Sequence, residues 1–340
     1  MTDQRVLLTG ATGFIARHIA LQLLQQGYRV RGTVRSAAKG EGLLATLAQA
    51  GADVSRLEVA EADLTRDAGW QEAANGCDFV CHTASPFPAR QPADKLALVP
   101  IARDGTLRVV SAAARAGAKR LVVTSSVASI TYGHGKERDA VFTGDDWSNV
   151  DSPDISAYAV SKTLAERAAW EEAERANLPM VAINPGLVAG PLIGEAAGTS
   201  VQLIGMMMRG KLPAVPDIVF GVVDVRDVAA AHVAALTAEG AIGRRFIVSA
   251  GSLSMMGIGR AIAEAFPEYR GKVPRFALPD VVVRIAALVV GEARAAIPEL
   301  GRRKELATEP ARAVLGFAPA DPREAVAATV RSLRELSRAG

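Results

Sequence analysis

The sequence predicts an α/β protein built on a doubly wound parallel sheet, followed by a smaller C-terminal lobe. Three observations lead there. The chain opens on a short apolar strand, a glycine turn and an apolar-faced helix in direct succession. Strand and helix patterns then alternate to about residue 185, as expected of parallel strands joined by covering helices. Beyond that point the pattern loosens, with Pro185, Gly186, Gly190, Pro191 and Gly194 crowded together. With 340 residues and 49% hydrophobic content, the chain can bury one large core and a small one. The expected division puts residues 1–185 in the main unit, with 219–250 returning to it. Residues 186–218 and 251–340 form the lobe.

The first element, Arg5–Thr9, reads as a buried strand. Gly10-Ala11-Thr12-Gly13 turns the chain, and Phe14, Ile15, Ile19, Leu23 and Leu24 follow at helical spacing to Gly27. In this context a glycine pattern gains meaning. Gly10 allows the tight turn, and Gly13 lets the backbone approach a pyrophosphate at the helix N-terminus, where free N–H groups and the helix dipole favour an anion. The fold is therefore Rossmann-type, with Gly10, Thr12, Gly13, Phe14 and Ile15 as cofactor-binding residues. The third glycine position holds Ala16, so a methyl group must fit between helix and strand.

A second strand, Arg29–Val34, ends at Arg35, with Lys39 just beyond. Folds specific for NAD usually carry an acid at this strand end for the ribose 2′-hydroxyl. Here two cations stand ready for a 2′-phosphate, so the expected cofactor is NADP(H). Leu57-Glu58-Val59 makes a third strand, and Asp63 and Leu64 after it suit an adenine contact. The fourth strand begins at Cys77 and runs into Thr83, Ala84 and Ser85, a small-residue loop expected beneath the phosphates and ribose. Alternation predicts that Cys77 and Cys81 share one face of that strand as buried free thiols.

Ala93–Gly117 follows as a helix, Leu121–Ser125 as a strand, and Gly133–Pro153 as a polar loop with Trp147. The helix Ser156–Asn177 carries Tyr158 and Lys162, four apart and so on one face. An ammonium beside a phenol favours the phenolate, lowering the tyrosine from its usual value near ~10. A serine from the Thr124-Ser125-Ser126 strand end, about thirty residues earlier, can hold an oxygen that the tyrosine protonates. Met180–Asn184 returns as a strand and Val225–Leu236 as a helix, capped locally by Asp224, Arg226 and Asp227. Ser85, Phe87, Leu187, Met206 and Phe220 are candidate pocket walls. For Met206-Met207-Met208 a core position is the more ordinary role, because methionine fills irregular gaps anywhere.

Taken together, these residues resemble the extended short-chain dehydrogenase/reductases, in the branch of dihydroflavonol reductases, cinnamoyl-CoA reductases and fungal-type aldehyde/ketone (methylglyoxal) reductases. The segments carrying the resemblance are Thr9–Ala16, Arg35 with Lys39, His82–Phe87, Thr124–Ser129, Asp145–Asn149, Tyr158–Glu166, Asn184–Pro191 and Val223–Ala229. It covers roughly residues 5 to 250. The resemblance implies Tyr158 as proton donor, Lys162 as its ribose-binding partner and Ser126 as anchor of the substrate oxygen. It also implies that Pro185, Gly186 and Val188 line the nicotinamide. The Asn-Trp-Tyr signature of cinnamoyl-CoA reductases is missing around the tyrosine, which counts against a CoA thioester.

The expected activity is NADPH-dependent reduction of small aldehydes or ketones, reversible as alcohol oxidation. A sugar-nucleotide epimerase or dehydratase that retains NAD is the alternative, opposed by Arg35 and by the apolar loop around Phe87. A non-enzymatic dinucleotide sensor would have no need of Ser126, Tyr158 and Lys162 together. Net charge is only +3 from 39 basic and 36 acidic residues, and aromatics make up 5%, so no nucleic-acid partner is expected. The four histidines are scattered without ligand spacing, so no metal is expected. The longest apolar stretch, Leu278–Val290, contains Asp280 and Arg284 and is too short to span a bilayer. No signal-peptide pattern precedes the first strand. A cytoplasmic monomer or homodimer, away from membranes, is expected.

Overall fold

The computed structural model describes residues 3–85, 92, 94–135, 141–195, 198–288 and 296–339. The elements run β1 (Arg5–Thr9), α1 (Phe14–Gln25), β2 (Arg29–Val34), α2 (Ala37–Gln49), β3 (Leu57–Glu61), α3 (Trp70–Ala74), β4 (Phe79–His82), α4 (Val99–Arg115), β5 (Arg120–Thr124) and α5 (Ala157–Arg175). They continue with β6 (Met180–Pro185), β7 (Leu187–Ala189), α6 (Thr199–Met208), β8 (Ala214–Pro216), β9 (Val219–Asp224), α7 (Val225–Ala235) and β10 (Arg245–Val248). The last are β11 (Gly251–Ser254), α8 (Met255–Ala265), β12 (Phe276–Leu278), α9 (Asp280–Ala286), α10 (Glu309–Leu315) and α11 (Pro322–Ala339).

Seven parallel strands form the main sheet in the order β10-β6-β5-β4-β1-β2-β3. Both faces are covered, so the inner strands are apolar throughout: β5 and β6 are buried at every residue. On one face, Ile19, Leu23, Leu43, Leu47, Val228 and Phe246 share a core with alternate strand residues such as Val6 and Cys81. On the other, Trp70, Val109, Val110 and Ala169 pack on Leu7, Val80 and Leu121. The strand order reverses between β1 and β4, and ligands of such sheets settle in the crevice beyond the strand C-terminal ends at that reversal.

After β6 the chain builds a three-stranded sheet, β11-β9-β7, and a two-stranded one, β12-β8. A separate core of Ile204, Met207, Met208, Val215, Leu253, Ile258, Val326 and Val330 holds them together with α6, α8 and α11. Two stretches depart from the division expected above. Residues 219–224 pair with β7 and β11 in the smaller sheet, while β10 alone joins the main one. Residues 309–317, expected in the lobe, place Ala311, Leu315 and Phe317 in the main core.

Two further expectations fail for local reasons. Cys77 and Cys81 lie on opposite faces, Cys77 in the core with Trp70 and Cys81 in the core with Leu23. Cys77 stands in the turn after Gly76, ahead of the strand that starts at Phe79, so two-residue alternation does not extend to it. Both thiols are free and buried, and burial pushes them up to about 11 and about 12 respectively. The fourth helix starts at Val99 with Pro100 in its first turn, six residues later than the pattern suggests. Proline suits a helix start because its missing N–H is not needed there. Among the described residues no helix is long and apolar enough to cross a membrane.

Candidate active site

The glycine turn sits at the reversal of strand order. Gly10 has φ +63°, a left-handed backbone that glycine adopts without cost, and a side chain there would press within 3.0 Å of Ala84. The β1 turn and the loop after β4 are therefore in backbone contact. Thr9 ties them: its hydroxyl accepts from the N–H groups of Thr83 and Ala84, both at 3.1 Å. With both lone pairs used, it donates to His82 Nδ1 at 2.8 Å, which leaves Nε2 of His82 to donate to Thr106 at 3.2 Å. Thr83 in turn donates its hydroxyl to the Thr9 carbonyl at 2.5 Å. Gly13 caps α1 in extended conformation with no side-chain cap, so the first N–H groups of that helix face outward. Thr12 is half-buried and Gly13 exposed, whereas Phe14 is buried against Val201 and Val225 with Ile15 and Val188 beside it. Ala16 fits in the main core at 1% exposure.

Arg35 and Lys39 are exposed at the end of β2 and the start of α2, and among the described residues neither has an ion-pair partner. Asp63 accepts from the N–H and hydroxyl of Thr65 at 2.8 and 2.7 Å, and these bonds hold its carboxyl below the usual range. Leu64 packs on α4 where Gly105 leaves room for it, since a side chain at Gly105 would meet Leu64 at 2.8 Å. Half of the carboxylate expected at the adenine is thus committed to a local turn.

At β5 the chain ends in Thr124-Ser125-Ser126 and turns through a short 3-10 segment capped by Ser126, whose Oγ accepts from Ala128 N at 3.1 Å. Ser156 caps α5 in the same way, accepting from Ala159 N at 3.2 Å. The cap fixes where the helix begins and brings Tyr158 onto the Ser126 side chain, with which it is hydrogen-bonded. One turn on, Lys162 is buried and donates to the Thr124 carbonyl at 2.8 Å. A cavity between the ends of β4 and β5 and helix α5 is lined by Ala84, Ser85, Thr124, Ser125, Lys162 and Glu166, among others. Ala84 and Ser85, expected under a cofactor, therefore share one space with Lys162.

The protonation expected for this pair is corrected. Tyr158 lies above its ordinary value, because desolvation of the phenolate outweighs the hydrogen bond from Ser126. Lys162 is pushed down to about 8 by burial, against the pull of Glu166. Helical spacing puts the two on one face, but the ammonium is spent on Thr124. The phenol is held protonated, the form that donates.

Pro185 ends β6 and Gly186 follows, where a side chain would run into the Gly221 carbonyl oxygen. Leu187 and Val188 continue in β7. Leu187 and Phe220 are half-buried against the lobe core, whereas Met207 and Met208 lie inside it and only Met206 of the three remains half-exposed. Phe87 lies outside the described residues. Asp224 is fully buried and caps α7, accepting from Arg226 N and Nε at 2.8 and 2.9 Å.

Sequence reasoning assigned no role to Glu166, Asn184, Trp147 or Arg245, which form a buried polar cluster behind Ser126. Glu166 pairs with Arg245 Nε at 2.6 Å, the two side chains 1% and 7% exposed. It also accepts from Ser125, from Ser129 at 2.6 Å and from Asn184 at 3.1 Å. The Arg245 guanidinium lies 3.7 Å over the Trp147 ring and donates to the carbonyls of Gly144 and Asp146. One signal pointed to it: Glu166 stands two turns after Tyr158 on the same helical stripe, an acid on a buried face.

Over residues 6–249 the sequence matches the NAD dependent epimerase/dehydratase family. It is 36% identical over 272 residues to cinnamoyl-CoA reductase 1 of Petunia hybrida, an alignment covering 79% of each chain. It is 37% identical over 298 residues to the ketoreductase azaE of Aspergillus niger, covering 82% of this chain and 87% of that one. The yeast methylglyoxal/isovaleraldehyde reductase Gre2, solved in complex with NADPH, superposes with a TM-score of 0.81 at 27% identity, over 98% of this chain and 99% of its own. The chain belongs to the NAD dependent epimerase/dehydratase family, that is, to the extended short-chain dehydrogenase/reductases.

Proposed function

We propose that this family member is an NADPH-dependent reductase of aldehydes and ketones, reversible as an alcohol dehydrogenase. The observation that carries the reading is the grouping, beyond the ends of β4 and β5, of the Ser126–Tyr158 hydrogen bond, of Lys162 one turn further along the same helix, and of the Ala84–Ser85 loop, which packs on the glycine turn and shares a cavity with Lys162. Related reductases, one of them solved with NADPH, support it.

The residues present suit a phosphorylated dinucleotide. The uncapped start of α1 offers N–H groups to the pyrophosphate, and the Gly10–Ala84 contact leaves backbone where side chains would intrude. Arg35, with Lys39, would hold a 2′-phosphate through charge-assisted bonds. Asp63 and Leu64 would border the adenine; Thr83, Ala84 and Ser85 the phosphates and ribose; Pro185, Gly186 and Val188 the nicotinamide. When bound, the cofactor supplies the hydride that goes to the carbonyl carbon.

The chain's own part is to hold and protonate the oxygen. Ser126 donates to the carbonyl oxygen, and Tyr158 delivers its proton to that oxygen as negative charge develops. Lys162, fixed on Thr124 within the same face, keeps a positive charge near the phenol as it loses its proton. Leu187 and Met206, with Phe87, are proposed as apolar walls for a compact substrate. Residues 1–185, together with α7 and β10, would carry the cofactor, and the smaller sheets the substrate side.

NADPH oxidation against a panel of aldehydes, ketones and ketoesters tests the reading, with calorimetric titration of UDP-glucose beside it. Turnover of several carbonyls without sugar-nucleotide binding is expected. Micromolar UDP-glucose binding with no carbonyl reduced would move the protein to the epimerases.

A further inference from the structure

Helix α5 presents three polar side chains one turn apart, Tyr158, Lys162 and Glu166, along one stripe. Each grips the same short piece of chain opposite. Tyr158 meets the Ser126 side chain, Lys162 takes the Thr124 carbonyl at 2.8 Å, and Glu166 takes the hydroxyls of Ser125 and Ser129. The Ser126 carbonyl is itself held from behind. Asn184 Nδ2 donates to it at 3.2 Å and to Glu166 at 3.1 Å, while the single Ser129 Oγ proton lies between that carbonyl, at 2.8 Å, and Glu166, at 2.6 Å. The serine proposed to hold the substrate oxygen is therefore seated on a buried carboxylate.

We propose that Glu166, seated by Arg245, is a positioning residue that fixes Ser126 against Tyr158 and keeps Lys162 cationic. The inference rests on the catalytic roles proposed above for those three residues. A well-packed apolar pair fills such space at lower desolvation cost than a buried ion pair. What the pair adds to packing is direction and charge. Direction comes from the hydrogen bonds just named. Charge comes from placement: among the described residues lining the cavity, the titratable ones are His82, Lys162 and Glu166. His82, from β4, is neutral, pushed down to about 3 chiefly by burial and further by Lys162. Tyr158, on the same helix, is a neutral phenol, and Arg245, from β10, is a cation on the far side of Glu166. Glu166 is thus the anion that opposes loss of the Lys162 proton.

Three variants test both parts. Glu166→Asp keeps the charge and withdraws it by one methylene. It should lower kcat by about tenfold or more, since misplacement of order 1 Å can cost about a hundredfold. The alkaline limbs of kcat/KM and of NADPH affinity, read by fluorescence titration, should stay where they are. Glu166→Gln keeps the size and removes the charge. Both limbs should then move to lower pH by about one unit, within the range an opposite charge commands. Glu166→Gln combined with Arg245→Met removes both members of the ion pair and so leaves no guanidinium unpaired in the core; it should fold by circular dichroism and show the same acid shift. A role in folding alone would lower the melting temperature and leave the limbs in place. Parent-like kcat in Glu166→Asp, or parent-like limbs in the folded double variant, overturns the proposal. Tyr158→Phe runs beside them: if it still reduces ketones, the site reading itself fails, whatever Glu166 does.

Discussion

The C-terminal ends of β1 and β5 lie two strands apart in one sheet and are built in opposite ways. At β1 the site is mainly backbone: a left-handed glycine, an uncapped helix start and two exposed cations without ion-pair partners among the described residues. At β5 it is mainly buried side chain, with Lys162, Glu166, Thr124 and His232 inside the protein and each hydrogen-bonded. The first arrangement can bind an anion while asking little of the rest of the fold. The second depends on helix α5, strand β10 and the 141–149 loop all being in place. Substitutions at β1 should therefore act on binding, and those at β5 on turnover or on folding.

The largest contrast should come from Tyr158→Phe. Turnover is expected to fall by at least about a hundredfold, the scale of general acid catalysis, while the NADPH dissociation constant stays within twofold or so. Steady-state kinetics beside fluorescence titration would show it. Comparable losses in both would erase the distinction between the two ends.

Acid should strike the β5 side next. His232 donates from Nδ1 to the Val228 carbonyl at 2.8 Å and accepts the Thr124 hydroxyl at 2.6 Å, so it is folded as the neutral ring. Burial pushes it down to about 4, and His82 to about 3. The unfolded chain binds these protons near pH ~6.5 and the folded chain does not, so stability is full above that pH and drains away as the pH falls toward 4. Unfolding free energies from denaturant titrations at pH 7 and pH 5 should differ by about 2 kcal/mol for each of these two histidines. In a His232→Asn variant the difference should shrink; an unchanged one would clear this histidine of the effect.

Arg35→Ala should sharpen the β1 side. Loss of a charge-assisted contact with a phosphate is worth roughly 1.5–3 kcal/mol, so the KM for NADPH should rise about tenfold or more with kcat little altered. The KM for NADH should hardly move. Equal use of both cofactors by the unmodified enzyme would end the case for a 2′-phosphate. The smallest effect is expected of Lys39→Ala, a flexible point charge on an exposed helix: a rise in KM for NADPH of about threefold, vanishing at high salt.

The same contrast explains what could be read ahead of the structure. The end of β1 was legible because its parts are contiguous: strand, glycine turn and helix follow one another within twenty-one residues, Arg5–Gln25. Tyr158 and Lys162 were legible as a pair because helical spacing is a local rule. The phenol's protonation was not, since it follows from burial and from the Thr124 carbonyl that claims the ammonium. Cys77 was misread for a similar reason: the strand it was counted from begins only at Phe79.

By itself, then, the sequence determined the alternation of strands and helices, the glycine turn, the basic strand end and the Tyr–Lys stripe. All of these are set by periodicity and backbone chemistry over a few neighbouring residues. Tertiary structure alone decided which side chains surround the turn after β5. Ser129, Trp147, Glu166, Asn184 and Arg245 come from five separate segments and meet only because β5, β6 and β10 are consecutive in the sheet, with α5 laid across them. A buried ion pair is stable only when every partner arrives together, and no local pattern records that arrival.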